Sequence, residues 1–159
     1  MRLVSIAIMA ALSCAAGTVV AAEVPRDLTG AWTLVSSVVE LAGRKIEPYG
    51  ASPKGSLILD GSGRYVAMIA RAGLPKLAAG TPLAGTAEEN KAIMAGTIAH
   101  FGSYAVEGQT ITFRIEAATF PNWDGAEQTR SYTIASDTLT YTADGGPNGA
   151  ATLVWQRAK

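Results

Sequence analysis

Residues Phe101 to Tyr141 read FGSYAVEGQTITFRIEAATFPNWDGAEQTRSYTIASDTLTY, four short runs of β-branched and aromatic residues separated by turn-forming residues. Glu107-Gly108, Pro121 to Gly125 and Ser136-Asp137 supply the breaks, and residues of these types tolerate the backbone angles that turns demand. In the second run Ile111, Phe113 and Ile115 alternate with Thr110, Thr112, Arg114 and Glu116. That period of two belongs to a strand with one buried and one wet face. The stretch therefore predicts a four-strand antiparallel meander with the odd positions of the second strand inside.

The third run carries the most informative consequence. Ile134 shares its parity with Tyr132, Arg130 and Gln128, while Thr129, Ser131 and Thr133 form a neutral face that suits water. Arg130 is thus directed inward, where a guanidinium must find an anion or a dense set of acceptors. Glu116 and Glu127 are one candidate source of that compensation; the carboxylate of a ligand, held jointly by Arg130 and Tyr132, is the other. A register error of one residue would reverse the faces and bring Arg114 and Glu116 inside instead.

Upstream, Leu28 to Leu41 reads as a long first strand with Trp32, Leu34 and Val38 on one face. Ser56 to Asp60 and Arg64 to Arg71 form a hairpin across Asp60-Gly61-Ser62-Gly63, and both runs are so apolar that the period does not choose their inner face. Thr86-Ala87-Glu88-Glu89 is a capping box that starts a helix. The helix is expected to run to about His100, with Met94, Ile98 and Phe101 as an apolar stripe that packs on the core or covers a barrel mouth. Ala150 to Arg157 is a closing strand with Leu153, Trp155 and Arg157 on one face. These runs predict an all-β fold, an eight-stranded antiparallel up-and-down barrel with one helix between strands 3 and 4. Closure removes exposed sheet edges, and eight strands can enclose one small ligand. A two-sheet sandwich is the competing architecture.

Residues 1–22 carry one positive charge at Arg2, a long apolar run and the ending Val20-Ala21-Ala22, the pattern of a signal peptide. The expectation is an exported domain spanning residues 23–159, periplasmic or secreted, without stable membrane insertion once the leader is removed. Lipid anchoring through Cys14 is the lesser alternative. Cleavage after Ala22 removes the single cysteine, and with it any disulfide or thiol chemistry. Losing Arg2 from the 13 basic residues leaves 12 against 13 acidic ones, so nothing in the charge balance calls for nucleic acid. With one histidine, His100, and no metal-ligand spacing, no metal site is expected, and the glycines form no phosphate loop, so no cofactor is implied.

Several of these segments, taken in order, carry a resemblance. Leu28-Thr29-Gly30-Ala31-Trp32 resembles the glycine-x-tryptophan opening strand of lipocalins, and Trp155-Gln156-Arg157 resembles their closing strand. Gly55 through the Asp60-Gly61 hairpin, Gly102-Ser103-Tyr104, Phe120-Pro121-Asn122-Trp123 and Gln128-Thr129-Arg130 together resemble the bacterial and fungal lipocalin-like domain family. The resemblance implies a barrel closed at one end by Gly30, Trp32 and Arg157, the arginine packed over the indole, and a cavity inside. It departs from the family where Phe113 and Arg114 stand in place of two histidines ahead of Ile115-Glu116. The family is defined by fold more than by activity.

Two functional classes follow. A binding module would hold a small, largely hydrophobic and possibly acidic molecule, with Tyr104, Phe113 and Tyr132 as wall, Gln128 and Arg130 for orientation, and Trp123 at the entrance. A cavity enzyme of isomerase, cyclase or lyase type would need His100, Glu116 or Asp124 as proton-transfer groups. A barrel that docks a protein partner is the remaining alternative.

Overall fold

The computed structural model describes residue 25, residues 27–143 and residues 149–159. The expected leader, with its expected cleavage after Ala22, and Cys14 lie outside the described residues. The strands are β1 (Gly30–Leu41), β2 (Arg44–Ile46), β3 (Lys54–Leu59), β4 (Arg64–Ala70), β5 (Thr97–Glu107), β6 (Thr110–Ala118), β7 (Glu127–Ala135), β8 (Thr138–Ala143) and β9 (Ala150–Arg157), with helix α1 (Ala87–Gly96) before β5. From β3 to β9 each strand pairs antiparallel with the next in the chain, and β1 pairs with both β3 and β9, which closes eight strands into a barrel. The short β2 pairs only with the outer end of β1, Val39 opposite Ile46. β2 is a strand the sequence pattern did not predict, and counting it puts the helix between strands 4 and 5 of the chain rather than between 3 and 4.

Alternation decides which side chains fill the interior. Ile111, Phe113 and Ile115 of β6 are buried, as their period of two requires. On β4, Tyr65, Ala67 and Ile69 point inward, whereas Val66 and Met68 are 52% and 51% exposed on the outer wall. Trp32, Trp155, Phe113, Leu57, Leu59, Ile111 and Leu139 are fully buried and form the centre of one continuous core. Burying an aliphatic or aromatic side chain of this size contributes about 1.5–3 kcal/mol.

The capping box forms as expected: the Glu89 amide donates to Thr86 Oγ1 at 3.2 Å and the Thr86 amide to Glu89 Oε2 at 2.8 Å. The helix is shorter than expected. It ends at Gly96, because Thr97 to Ser103 pair residue by residue with β4, Thr97 opposite Ala70 and Ser103 opposite Arg64. His100 is therefore a strand residue, and Met94, Ile98 and Phe101 do not form one stripe: Ile98 faces in and Phe101 faces out on β5.

One close approach shapes β6. Gly102 sits so near the β6 backbone that a Cβ there would lie 2.0 Å from the Arg114 carbonyl oxygen. Next to it the register shifts, Gly102 facing Ile115 and Phe101 facing Ala117, which makes Glu116 the extra residue of a β-bulge.

Candidate functional site

One end of the barrel is shut by its first and last strands. Arg157 lies over the Trp32 ring with its guanidinium carbon 4.2 Å from the ring centroid. Its Nη1 donates to the Thr29 carbonyl at 2.9 Å and its Nη2 to the Asp27 carbonyl. Gly30, at φ +123°, leaves the room for this: a Cβ would stand 3.1 Å from Arg157 Nη1. Trp32 Nε1 donates to the Leu28 carbonyl at 3.0 Å. The indole is thus held by its own strand and covered by the cation.

Toward the other end the interior opens into a cavity of about 620 Å³, within the range of small-molecule sites. Val39, Ile69, Ile98, Ala151 and Leu153 give it apolar wall, and Tyr49 enters from the loop after β2, which is tied down by Arg71 Nη2 donating to the Pro48 carbonyl at 2.8 Å. No residue of α1 lines it.

Arg130 points into this cavity, as the parity of β7 predicts. Its Nη1 donates to the Thr129 carbonyl at 2.9 Å and its Nη2 to Gln128 Oε1. Both partners are neutral. The two glutamates that could have compensated it pair with other arginines: Glu116 on the outer wall in a two-pronged pair with Arg64, Nη2 to Oε2 at 2.8 Å, and Glu127, which borders the cavity, with Arg114 at 2.6 Å. Among the described residues Arg130 has no carboxylate partner. Burial lowers its pKa, opposed by the nearby Tyr141 and Tyr65 hydroxyls, yet a guanidinium keeps its proton in any protein setting. Among the described residues, then, only neutral groups hydrogen-bond this cavity-facing cation.

His100 shares the cavity wall. Its Nδ1 is 2.8 Å from Tyr65 Oη, and its ring stands edge-on to Trp123 and Phe113 at centroid separations of 5.8 and 6.4 Å. Burial, and then the Arg130 charge, push its pKa down to about 4, so the imidazole is neutral at physiological pH. Burial raises the Tyr65 phenol well above its usual range and holds Tyr141 up at about 12, so both stay protonated.

Of the residues expected to meet a ligand, Trp123, Gln128 and Arg130 come together on the wall. Phe113 lies beneath, packed edge-on to Tyr65 with centroids 4.6 Å apart. Tyr104 and Tyr132 lie away from the cavity: Tyr104 Oη donates to the Asp60 carbonyl at 2.7 Å in the β3–β4 turn, and Tyr132 Oη to the Gly108 carbonyl at 3.3 Å in the β5–β6 turn. Arg130 and Tyr132 consequently do not converge on one point. Of the proton-transfer candidates only His100 reaches the cavity. Glu116 is in its outer ion pair, and Asp124 Oδ1 accepts the Ala118 amide at 2.8 Å to shape a turn. The sequence reading missed Tyr65, Tyr141 and Tyr49. Tyr65 lay in a run too apolar to show its inner face, whereas Tyr141 carried a usable signal, since Leu139 and Tyr141 alternate with Thr138, Thr140 and Thr142.

A closed, eight-stranded up-and-down barrel with an internal cavity and an arginine-tryptophan seal defines the lipocalin class of architecture. A family model of the lipocalin-like domain matches residues 29–158, and the chain belongs to that family. Among solved structures it is similar to a lipocalin-like protein from Bacteroides uniformis, at 15% identity over 83% of this chain and 99% of the other, with a TM-score of 0.45. It is also similar to a redesigned β-barrel, at 14% identity over 84% and 93%, TM-score 0.44, and to the fluorescent protein UnaG, at 12% over 84% and 97%, TM-score 0.42. No curated protein matches the sequence. Among the described residues no three side chains are grouped to hold a metal ion, and no helix is long and apolar enough to cross a membrane.

Proposed function

We propose that this protein is an exported carrier that binds a small, largely hydrophobic molecule with an acidic head group in the barrel cavity. The observation that supports the reading is Arg130: a cavity-facing cation whose hydrogen-bond partners are a backbone carbonyl and a side-chain amide, while Glu116 and Glu127 are paired with Arg64 and Arg114. A charge in that position is costly without an anion, and a carboxylate delivered by a ligand removes the cost. The apolar wall of Val39, Ile69, Ile98 and Leu153 receives the rest of the molecule, and Gln128 holds the guanidinium in place.

Charge-assisted hydrogen bonds of this kind contribute about 1.5–3 kcal/mol, roughly tenfold to a hundredfold in affinity. The test is a titration of a long-chain carboxylic acid against its methyl ester, followed by the emission of Trp123, with Trp32 and Trp155 emission subtracted using a Trp123→Phe control. The acid is expected to bind at least tenfold tighter. Equal affinities would overturn the acidic-head reading.

A further inference from the structure

Tyr65 and His100 each have one proton to place between them, and the burial of Tyr65 decides how it is placed. Tyr65 Oη and His100 Nδ1 are 2.8 Å apart. Either the phenol donates to Nδ1, or Nδ1 carries a proton and donates to the phenol oxygen. Tyr65 is 2% exposed, and its hydroxyl has no other hydrogen-bond partner among the described residues. In the second arrangement the phenol's own proton would be buried with no acceptor, a desolvation cost that the first arrangement avoids. The first arrangement leaves Nδ1 as the acceptor and puts the imidazole proton on Nε2. Nε2 itself makes no hydrogen bond among the described residues and is not sealed off from solvent, and the residue faces the cavity.

We infer that His100 presents an Nε2–H donor to the cavity beside the Arg130 guanidinium, and that together they select a head group with two acceptor oxygens and no proton of its own, a carboxylate. Tyr65 is the positioning residue that fixes the tautomer. The inference rests on the acidic-head reading and deepens it. Arg130 alone accepts any anion, or a carbonyl dipole. A second, neutral donor rewards a second oxygen, and it gives nothing to an amine or to a group that must itself donate. Trp123 and Phe113 stand edge-on to the same imidazole and limit its rotation.

His100 is the single histidine of the chain, so an untagged protein labelled with ¹⁵N-histidine gives one imidazole spin system. A long-range proton–nitrogen correlation at pH 7 is expected to show Nε2 protonated and Nδ1 as the bare nitrogen. The opposite tautomer would overturn the inference without touching the acid-over-ester preference. The second arm titrates the long-chain acid and its ester into wild type, Tyr65→Phe and His100→Phe. The acid is expected to lose about three- to tenfold in both variants and the ester to change less than twofold. Acid affinity unchanged in His100→Phe would also overturn the inference. Acid and ester bound equally by the wild type would instead remove the reading beneath it.

Discussion

Replacing Arg157 with alanine removes three interactions at once from the sealed end of the barrel. The guanidinium stacks on Trp32 at 4.2 Å, a contact worth about 1 kcal/mol at a partly exposed site. It also donates to the Thr29 and Asp27 carbonyls, and two such bonds together contribute about 2 kcal/mol. The ion pair with Asp137, 3.6 Å away and 65% exposed on the aspartate side, adds little. The sum is about 3 kcal/mol, which for a domain of this size lowers the melting temperature by about 10 °C. Arg157→Lys keeps the charge but not the flat two-pronged donor, so it should recover less than half of that loss. The assay is thermal unfolding followed by circular dichroism, with acid binding measured in parallel. Because the seal lies away from the cavity, binding at 20 °C should be unchanged. An Arg157→Ala protein melting within about 2 °C of wild type would refute the idea that this arginine locks the first and last strands together.

Gly102→Ala forces a methyl group to within 2.0 Å of the Arg114 carbonyl oxygen; rigid backbone on both sides cannot absorb that, and a loss of about 3 kcal/mol or more is expected in urea unfolding, whereas a loss under about 1 kcal/mol would contradict the close approach. His100 makes stability depend on pH. Its folded pKa of about 4 lies below its ordinary 6.5, so between those values the unfolded chain binds the extra proton. Stability is therefore full above about pH 6.5 and falls by about 2–3 kcal/mol as the pH drops toward 4. His100→Phe should flatten that window while leaving the later acid loss from Asp60, Glu89 and Glu116, whose pKa values are all lowered by hydrogen bonds. An unchanged slope in the variant would show that His100 is not buried as a neutral ring.

Much of this barrel is legible in the chain because its strands differ in how plainly they alternate. β6 shows strict alternation, and β7 shows it well enough to turn Arg130 inward. β4 does not, since Val66 and Met68 on the outer wall are as apolar as Ile69 on the inner one. The face of Tyr65, and so its meeting with His100 on the neighbouring strand, is set by pairing with β5, which no local pattern records. The helix end failed for a similar reason. Nothing within residues 94–101 announces that Thr97 onward will pair with β4, and a spacing of four and three imitates a helical stripe across the junction. Glu116 and Glu127 could be weighed as partners of Arg130 from sequence only as charges of the right sign. Their commitment to Arg64 and Arg114 depends on neighbouring strands and on the bulge opposite Gly102. The seal was legible because its pieces sit at the two ends of the domain in a recurring arrangement, Trp32 facing Arg157 across the closing pair of strands.

The central claim is that Arg130 supplies the charge that an acidic ligand answers, and Arg130→Met tests it most directly, since methionine keeps an unbranched side chain without the guanidinium. Competition titrations of long-chain acid against methyl ester on this variant should show the acid weakened roughly tenfold to a hundredfold and the ester left within about twofold of wild type. A preference for the acid that survives intact in Arg130→Met would place the anion elsewhere and contradict the account.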